Sequence, residues 1–186
     1  MNVLATALVA LLPISTLLLG NANAQPARQP VEEVARDDAG MEWYYEERAD
    51  EIDDRWQVLI MGTVLRGTVP GASIGMLCVE GMGRSVRITV PGWNFGAGQK
   101  VRLQARVDRR EPFEVTAVGE AIENSMAHFR EEESGGREAF GMLSAASERI
   151  VIRNPDGRTV VFPMSGKAPL GLHGMIRCLA VLLGKR

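Results

Sequence analysis

Histidine and cysteine, the side chains on which most metal sites and many nucleophile sites depend, are scarce in this sequence. Its 186 residues contain two His and two Cys, with no C-x-x-C pair. A closed zinc shell needs four such ligands in a suitable arrangement. The P-loop, the dinucleotide fingerprint and the calcium-binding loop are missing as well. The sequence therefore predicts neither a metal site nor a cofactor.

Long apolar runs are also missing, except at the N-terminus. Residues 3–20 are almost wholly apolar, and Ala22-Asn23-Ala24 has the small-residue pattern that a signal peptidase accepts. We predict a signal peptide over residues 1–24 and hence a periplasmic or secreted protein. An uncleaved membrane anchor is the alternative, because the run approaches the about 20 residues that a spanning helix needs.

The two cysteines, Cys78 and Cys178, both lie in the part predicted to be exported. An oxidising compartment would let them pair, so we predict a disulfide between them. The two cysteines are 100 residues apart. In the chain-entropy treatment, closing a loop of that length adds about 4–5 kcal/mol to the free energy of unfolding. Two separate buried thiols are the alternative.

Negative charge is concentrated in one segment. Residues 31–55 contain eleven Asp and Glu but only three Arg, a net charge of −8, whereas residues 56–186 carry +5. Within the segment, MEWYYEERADEIDDRW (residues 41–56) is rich in helix formers, and several apolar residues could share one face. We predict a flexible leader and acidic helical arm over residues 25–55, packed on a domain over residues 56–186. A tail that captures a separate basic partner is the alternative.

From Trp56 onward the apolar residues mostly recur with a period of two, which is typical of strands with one buried and one wet face. The predicted strands are residues 57–65, 73–80, 85–90, 100–108 and 113–118, followed by a hairpin of residues 149–153 and 158–164. Helical spacing predicts helices at residues 118–129, 138–146 and 172–183. The last is apolar nearly all round and is expected to be buried against a sheet. The fold class is mainly β with flanking helices (α+β), with β-sandwich-like antiparallel sheets.

One enzyme motif is present. Residues 71–75, GASIG, match the G-x-S-x-G nucleophile elbow with Ser73 at its centre. An elbow needs a helix after the serine, and Asp and His partners downstream. Here a strand-like run follows, His128 falls on a predicted solvated helix, and His173 begins a predicted buried one. We therefore predict no catalytic residues, with a small envelope hydrolase using Ser73 as an alternative.

Positive charge lies on two strands that we expect to be neighbours. Their outward faces are predicted to carry Arg84, Arg87, Lys100, Arg102 and Arg106. Such a face could hold an anionic polymer, a lipid head group or the acidic arm. The alternative is an ordinary solvated sheet face. Nucleic acid is not predicted as a partner, because the protein is acidic overall and no aromatics are interleaved with these cations.

Four short motifs follow one another between Trp56 and Leu183. They are WQV (56–58), VRITVP (86–91), VRLQARVD (101–108) and FPMSG (162–166), the last ahead of a terminal helix. In this order they resemble the invasion-associated locus B family of small exported proteobacterial envelope proteins. The chain departs from many members in lacking further cysteine pairs and in having the acidic segment. The resemblance implies a β-sandwich with flanking helices and provides no catalytic residues.

The late Gly-helix-Cys ending is also similar to an accessory lipoprotein-like family of type VI secretion. The predicted function is therefore an exported, non-enzymatic binding or accessory protein of the cell envelope, with host interaction as one form of it. An accessory factor of a secretion system is an alternative. The expected partners are envelope proteins or anionic cell-wall components, and membrane contact is expected only through an uncleaved signal segment.

Overall fold

The computed structural model describes residues 31–36, 38–49, 55–130, 135–164 and 169–183. The predicted signal peptide and leader lie outside these ranges. The strands are β1 (Val31–Arg36), β2 (Met41–Ala49), β3 (Trp56–Val64), β4 (Ser73–Val79), β5 (Gly83–Thr89), β6 (Lys100–Val107), β7 (Phe113–Gly119), β8 (Met126–Arg130), β9 (Arg149–Arg153) and β10 (Thr159–Pro163). The helices are α1 (Gly136–Ala145) and α2 (Pro169–Leu182).

All ten strands belong to one antiparallel sheet in the order β1-β2-β3-β4-β5-β8-β7-β6-β9-β10. The first five are a simple meander. The chain then crosses to β6 and returns through β7, so that β8 becomes the neighbour of β5. The prediction of a mainly β fold with flanking helices is confirmed, and the described strands form a single sheet rather than separate ones.

One face of this sheet forms the core. The register places buried side chains opposite one another from strand to strand, as in the row Tyr45, Ile60, Met76, Val86 and Phe129 across β2, β3, β4, β5 and β8. Each strand contributes alternate residues to this face because successive side chains of a strand point in opposite directions. The period-two pattern of the sequence therefore identifies most of the core. We call the opposite side of the sheet the outer face.

The two helices cover different parts of the core face. Helix α1 packs against β5 to β8, and α2 packs against β2, β3 and β4. The backbone of α2 approaches the sheet closely at Gly174, where a Cβ would lie only 2.4 Å from Cγ1 of Ile60. Neither helix of the described chain is long and apolar enough to cross a membrane.

The predicted disulfide is confirmed and fastens α2 to β4. Cys78 is bonded to Cys178, with their Cα atoms 5.5 Å apart, and both residues are fully buried. A structural disulfide of this kind indicates an oxidising, non-cytoplasmic environment. The alternative of two separate buried thiols is therefore wrong.

The predicted acidic helical arm is wrong where the structure describes it. Residues 31–36 and 41–49 are strands, and β2 pairs with β3 through nine residue pairs. Met41, Trp43 and Tyr45 alternate with half-buried residues, so the segment has the period of a strand despite its helix formers. Tertiary pairing overrides local propensity here. The segment therefore belongs to the same sheet as residues 56–164, and the boundary at residue 55 does not separate an arm from a domain.

The helix predicted over residues 118–129 is also wrong. Strand β7 ends at Gly119, and β8 begins at Met126 after a turn in which Ile122 is 95% exposed. The apolar residues of the two short strands and their turn happen to recur at intervals of three and four, which is the spacing of a helix. The predictions of α1 and of the β9–β10 hairpin are confirmed to within a few residues.

Helix α2 is less buried than its apolar sequence predicts. Cys178 and Val181 face the sheet, but Ile176, Leu179 and Leu183 are 58%, 45% and 67% exposed. The helix therefore has one buried side, while apolar side chains at intervals of three and four remain in solvent.

Candidate functional site

The outer face of the sheet is acidic at one end. Strands β1 and β2 place Glu32, Glu42 and Glu46 there. Arg36 Nε lies 2.7 Å from Glu42 Oε2, and Arg48 Nε lies 3.1 Å from Glu46 Oε1. Charges of this end are thus partly neutralised within the two strands.

The other half of the outer face, over β5 to β9, is basic. Among the described residues its strand positions carry Arg87, Lys100, Arg102, Arg106, Arg130, Arg149 and Arg153. We call these seven cations the basic face. Glu114 is the carboxylate on these strand positions, and Glu120 follows directly after β7. Within the described chain the ion pairs involve none of the seven cations. The electrostatic potential here is therefore available to an anion.

The predicted cations do share a sheet, but β5 and β6 are not neighbours. Strands β8 and β7 lie between them, so the prediction of adjacent strands is wrong. The register nonetheless aligns Arg87, His128, Val118 and Lys100 in one row across these four strands. Three inter-strand steps separate Arg87 from Lys100, about 14 Å. Arg87 and the β6 cations Lys100, Arg102 and Arg106 thus form two groups on one face.

Arg84 does not share that face. It pairs with the buried Cys78, and its Cζ lies 3.5 Å from the ring centroid of Phe140 on α1. The prediction that Arg84 points outward with Arg87 is therefore wrong. The two residues are three positions apart, and because side chains alternate along a strand, they lie on opposite sides of the sheet. Its charge is engaged in a cation–π contact, although it still reaches the rim of the cleft described next.

A cleft of about 520 Å³ opens on the outer face where the β4–β5 hairpin meets β8. One wall is apolar and contains Leu77, Val79 and Met82. The opposite wall is polar and contains Arg87, Arg130, His128 and Glu120. Its volume lies in the range usual for small-molecule sites.

Arg87 is the unusual side chain of the cleft. Its Nε is buried and has no hydrogen-bond partner among the described residues. Buried polar atoms are nearly always hydrogen-bonded, and leaving one unsatisfied costs about 1–3 kcal/mol, more for a charged group. Arg87 also lines the open cleft, so it is a candidate for contact with a ligand there.

His128 and Glu120 form a pair at the same cleft. His128 Nδ1 lies 2.8 Å from Glu120 Oε1, and His128 is 7% exposed. The prediction that His128 lies on a solvated helix is wrong, since it is a buried residue of β8. Among the described residues that line the cleft, Glu120 is the carboxylate, and its Oε1 contacts His128.

Ser73 has a different environment from the one a nucleophile elbow requires. It is 7% exposed and begins β4, so a strand and not a helix follows it. Its cross-strand partners are Thr63 and Thr89, whereas His128 is paired with Arg87. His173 belongs to α2, and its side chain lies outside the described part. Ser73 therefore lacks the strand-to-helix turn of a nucleophile elbow, and neither of its cross-strand partners is a histidine.

Glu47 is a buried charged residue that the sequence analysis did not identify. It is 4% exposed, yet it accepts hydrogen bonds from Tyr45 Oη at 2.5 Å, Trp56 Nε1 at 2.6 Å and Arg177 Nε at 2.9 Å. Burial raises its pKa, but the hydrogen bonds from Arg177, Tyr45 and Trp56 outweigh burial and lower the pKa to about 2. The group ties α2 to β2 and β3. A period-two reading of residues 41–47 would have placed it on the core face.

Comparisons of the chain with protein-family models, with curated proteins and with solved structures give no match. The resemblance to the invasion-associated locus B family therefore stays a prediction. The residues of the outer face are the basis for proposing a function.

Proposed function

We propose that this protein is an exported, non-enzymatic binding protein of the cell envelope, which holds an anionic partner on its basic face. The observation that carries the proposal is the alignment of seven cations on one side of five adjacent strands, without ion pairs to described carboxylates. An ordinary solvated sheet face interleaves both signs of charge in similar numbers, whereas the described strand positions of this one carry seven cations and one carboxylate, Glu114.

The acidic segment of the same chain is not the expected occupant. Strand β2 is separated from β5 by β3 and β4, and it is held in place by its pairing with β3. Glu42 already contacts Arg36 of β1, Glu46 contacts Arg48 of β2, and Glu47 is bound by Arg177. A separate anionic molecule therefore fits the basic face better than the acidic segment does.

The cellular location expected for the protein supports a partner in the cell envelope. The disulfide indicates an oxidising environment, and the apolar N-terminal segment with its small-residue ending is typical of a signal peptide. The anionic molecules of that compartment include polymers and lipids of the cell wall and acidic surfaces of envelope proteins. We propose an anionic cell-wall component as the partner, in keeping with the resemblance to the locus B family.

A charge-reversal experiment tests the proposal. The variant R87E/R102E/R106E is compared with the parent for binding to purified lipopolysaccharide at physiological ionic strength. A control variant, R66E/R110E/R137E, makes the same change in net charge at exposed residues outside the basic face. We expect binding to fall by at least tenfold in the first variant and by less than twofold in the control.

Equal losses in both variants would show that only net charge matters, and unchanged binding in both would show that the basic face is merely solvated. Either result contradicts the proposal. Circular dichroism and urea unfolding of both variants establish that the fold is retained.

A further inference from the structure

The cleft at Arg87 differs from the rest of the basic face because one of its walls is apolar. Leu77 and Val79 occupy outward positions of β4 and are half-buried, and Met82 in the β4–β5 turn is 62% exposed. Outward positions of a wet antiparallel sheet are normally polar. The apolar side continues beyond the cleft, because Leu59 of β3 is the cross-strand partner of Leu77.

The polar wall presents two guanidinium groups. Arg87 is paired with His128, and Arg130 is paired with Ser85, so the two arginines are diagonal neighbours on adjacent strands. Residues in that relation lie about 7–8 Å apart, within reach of one shared ligand for side chains as long as arginine. Arginine is well suited to carboxylates and phosphates because its planar fork donates two parallel hydrogen bonds.

The other charges at the cleft do not replace such a ligand. The carboxylate of Glu120 contacts His128 Nδ1 at 2.8 Å, and Arg84 is stacked on Phe140. The buried Nε of Arg87 has no partner among the described residues. A bound anion would draw the Arg87 guanidinium into the cleft and supply the missing acceptor.

We propose that this cleft binds an anionic amphiphile, with the carboxylate or phosphate held by Arg87 and Arg130 and the alkyl chain lying along Leu77, Val79 and Met82. The inference rests on the proposed function, which gives the ligand its negative charge. It adds a small-molecule site within the basic face. A lipid head group with its chain and a free fatty acid share this chemistry.

Calorimetric titration with a short series of ligands tests the proposal. The probes are hexanoate and octanoate, octanol as the uncharged equivalent, octyl phosphate, and inorganic phosphate, each below its micelle concentration. We expect octanoate to bind about tenfold more tightly than hexanoate, because each buried methylene contributes a few-fold in affinity. Octanol and inorganic phosphate should bind at least tenfold more weakly than octanoate and octyl phosphate. If octanoate binds more tightly than octyl phosphate, the cleft favours a fatty acid. If octyl phosphate binds more tightly, the cleft favours a lipid phosphate.

Two variants assign the two walls, and a third is the control. R87Q should weaken the binding of octanoate at least tenfold and leave the binding of octanol unchanged. M82S, at an exposed turn position, should reduce the difference between hexanoate and octanoate. R110Q, at an exposed residue outside both the basic face and the cleft, should bind octanoate like the parent.

Equal affinity for hexanoate and octanoate, or octanoate binding by R87Q as tight as that of the parent, overturns this inference. Lipopolysaccharide binding measured on the same samples separates the two proposals. If the parent binds lipopolysaccharide through the basic face but shows no dependence on chain length, the proposed function stands and the amphiphile site is rejected. If lipopolysaccharide binding does not depend on the basic face, the proposed function fails on its own test.

Discussion

Glu47 and Arg87 both have charged atoms withdrawn from solvent, but their surroundings are opposite. Glu47 receives hydrogen bonds from Tyr45, Trp56 and Arg177, whereas the buried Nε of Arg87 has no acceptor among the described residues. A satisfied buried charge holds elements together. An unsatisfied one costs stability unless another group completes it. The contrast separates a structural region around α2 from the region around β5 and β8 that we propose for binding.

The structural region is fastened twice. The disulfide joins α2 to β4 through Cys178, and the preceding residue, Arg177, joins α2 to β2 through Glu47. The basic face has no comparable ties among the described residues. We therefore expect large stability effects from changes near α2 and binding effects from changes in the basic face.

The largest effect should come from removing the disulfide. The variant C78A/C178A opens a cross-link between residues 100 apart in sequence, so the free energy of unfolding should fall by about 4–5 kcal/mol. Urea unfolding followed by tryptophan fluorescence measures it. The R102Q variant is the control and should unfold like the parent. An unchanged urea midpoint for C78A/C178A would show that α2 is held without the cross-link.

Replacing Glu47 should be the next most damaging change. E47Q leaves Arg177 half-buried beside an uncharged group, and breaking a buried pair in this way costs about 3 kcal/mol. Its neighbour Glu46 forms a more exposed pair with Arg48 on the opposite side of the strand, so E46Q should change stability by about 0.5 kcal/mol, much less than E47Q. Equal effects of the two variants in urea unfolding would contradict the structural role of Glu47.

Acid should weaken the structural region through the same carboxylate. The pKa of Glu47 is about 2 in the fold, below its usual value of 4.5, so the unfolded chain binds more protons as the pH falls. The stabilisation is fully present above pH 4.5 and is lost progressively as the pH falls towards 2. Hydrogen bonds from the backbone N–H of Arg149 and its neighbours also lower the pKa of Asp108, which acts in the same direction. Urea midpoints measured between pH 6 and 2 should fall less steeply in E47Q, and identical slopes would contradict this assignment.

The sequence predicts much of the sheet but not its order. Strands from β3 onward have clear alternation and turn signals, so their positions follow from local pattern. The insertion of β8 between β5 and β7 depends on contacts distant in sequence, which no local pattern contains. For that reason the cations of β5 and β6 were wrongly expected to lie on adjacent strands.

The two charged regions were unequally predictable as well. Arg87 is recognisable as an outward residue of a strand, but its unsatisfied Nε arises only when β8 packs beside β5. The role of Glu47 was hidden because the acidic, helix-forming composition of residues 41–49 outweighed their alternation. Strand parity also contained the information that Arg84 and Arg87 face opposite sides.

The contrast between Glu47 and Arg87 is tested most directly by the stability of R87M, which keeps the length of the side chain and removes its charge and donors. If Arg87 is retained for a ligand, the free energy of unfolding in urea should equal or exceed that of the parent, to within about 0.5 kcal/mol. A loss approaching the about 3 kcal/mol expected for E47Q would show that Arg87 is a structural charge like Glu47, and would contradict the assignment of the cleft as a binding site.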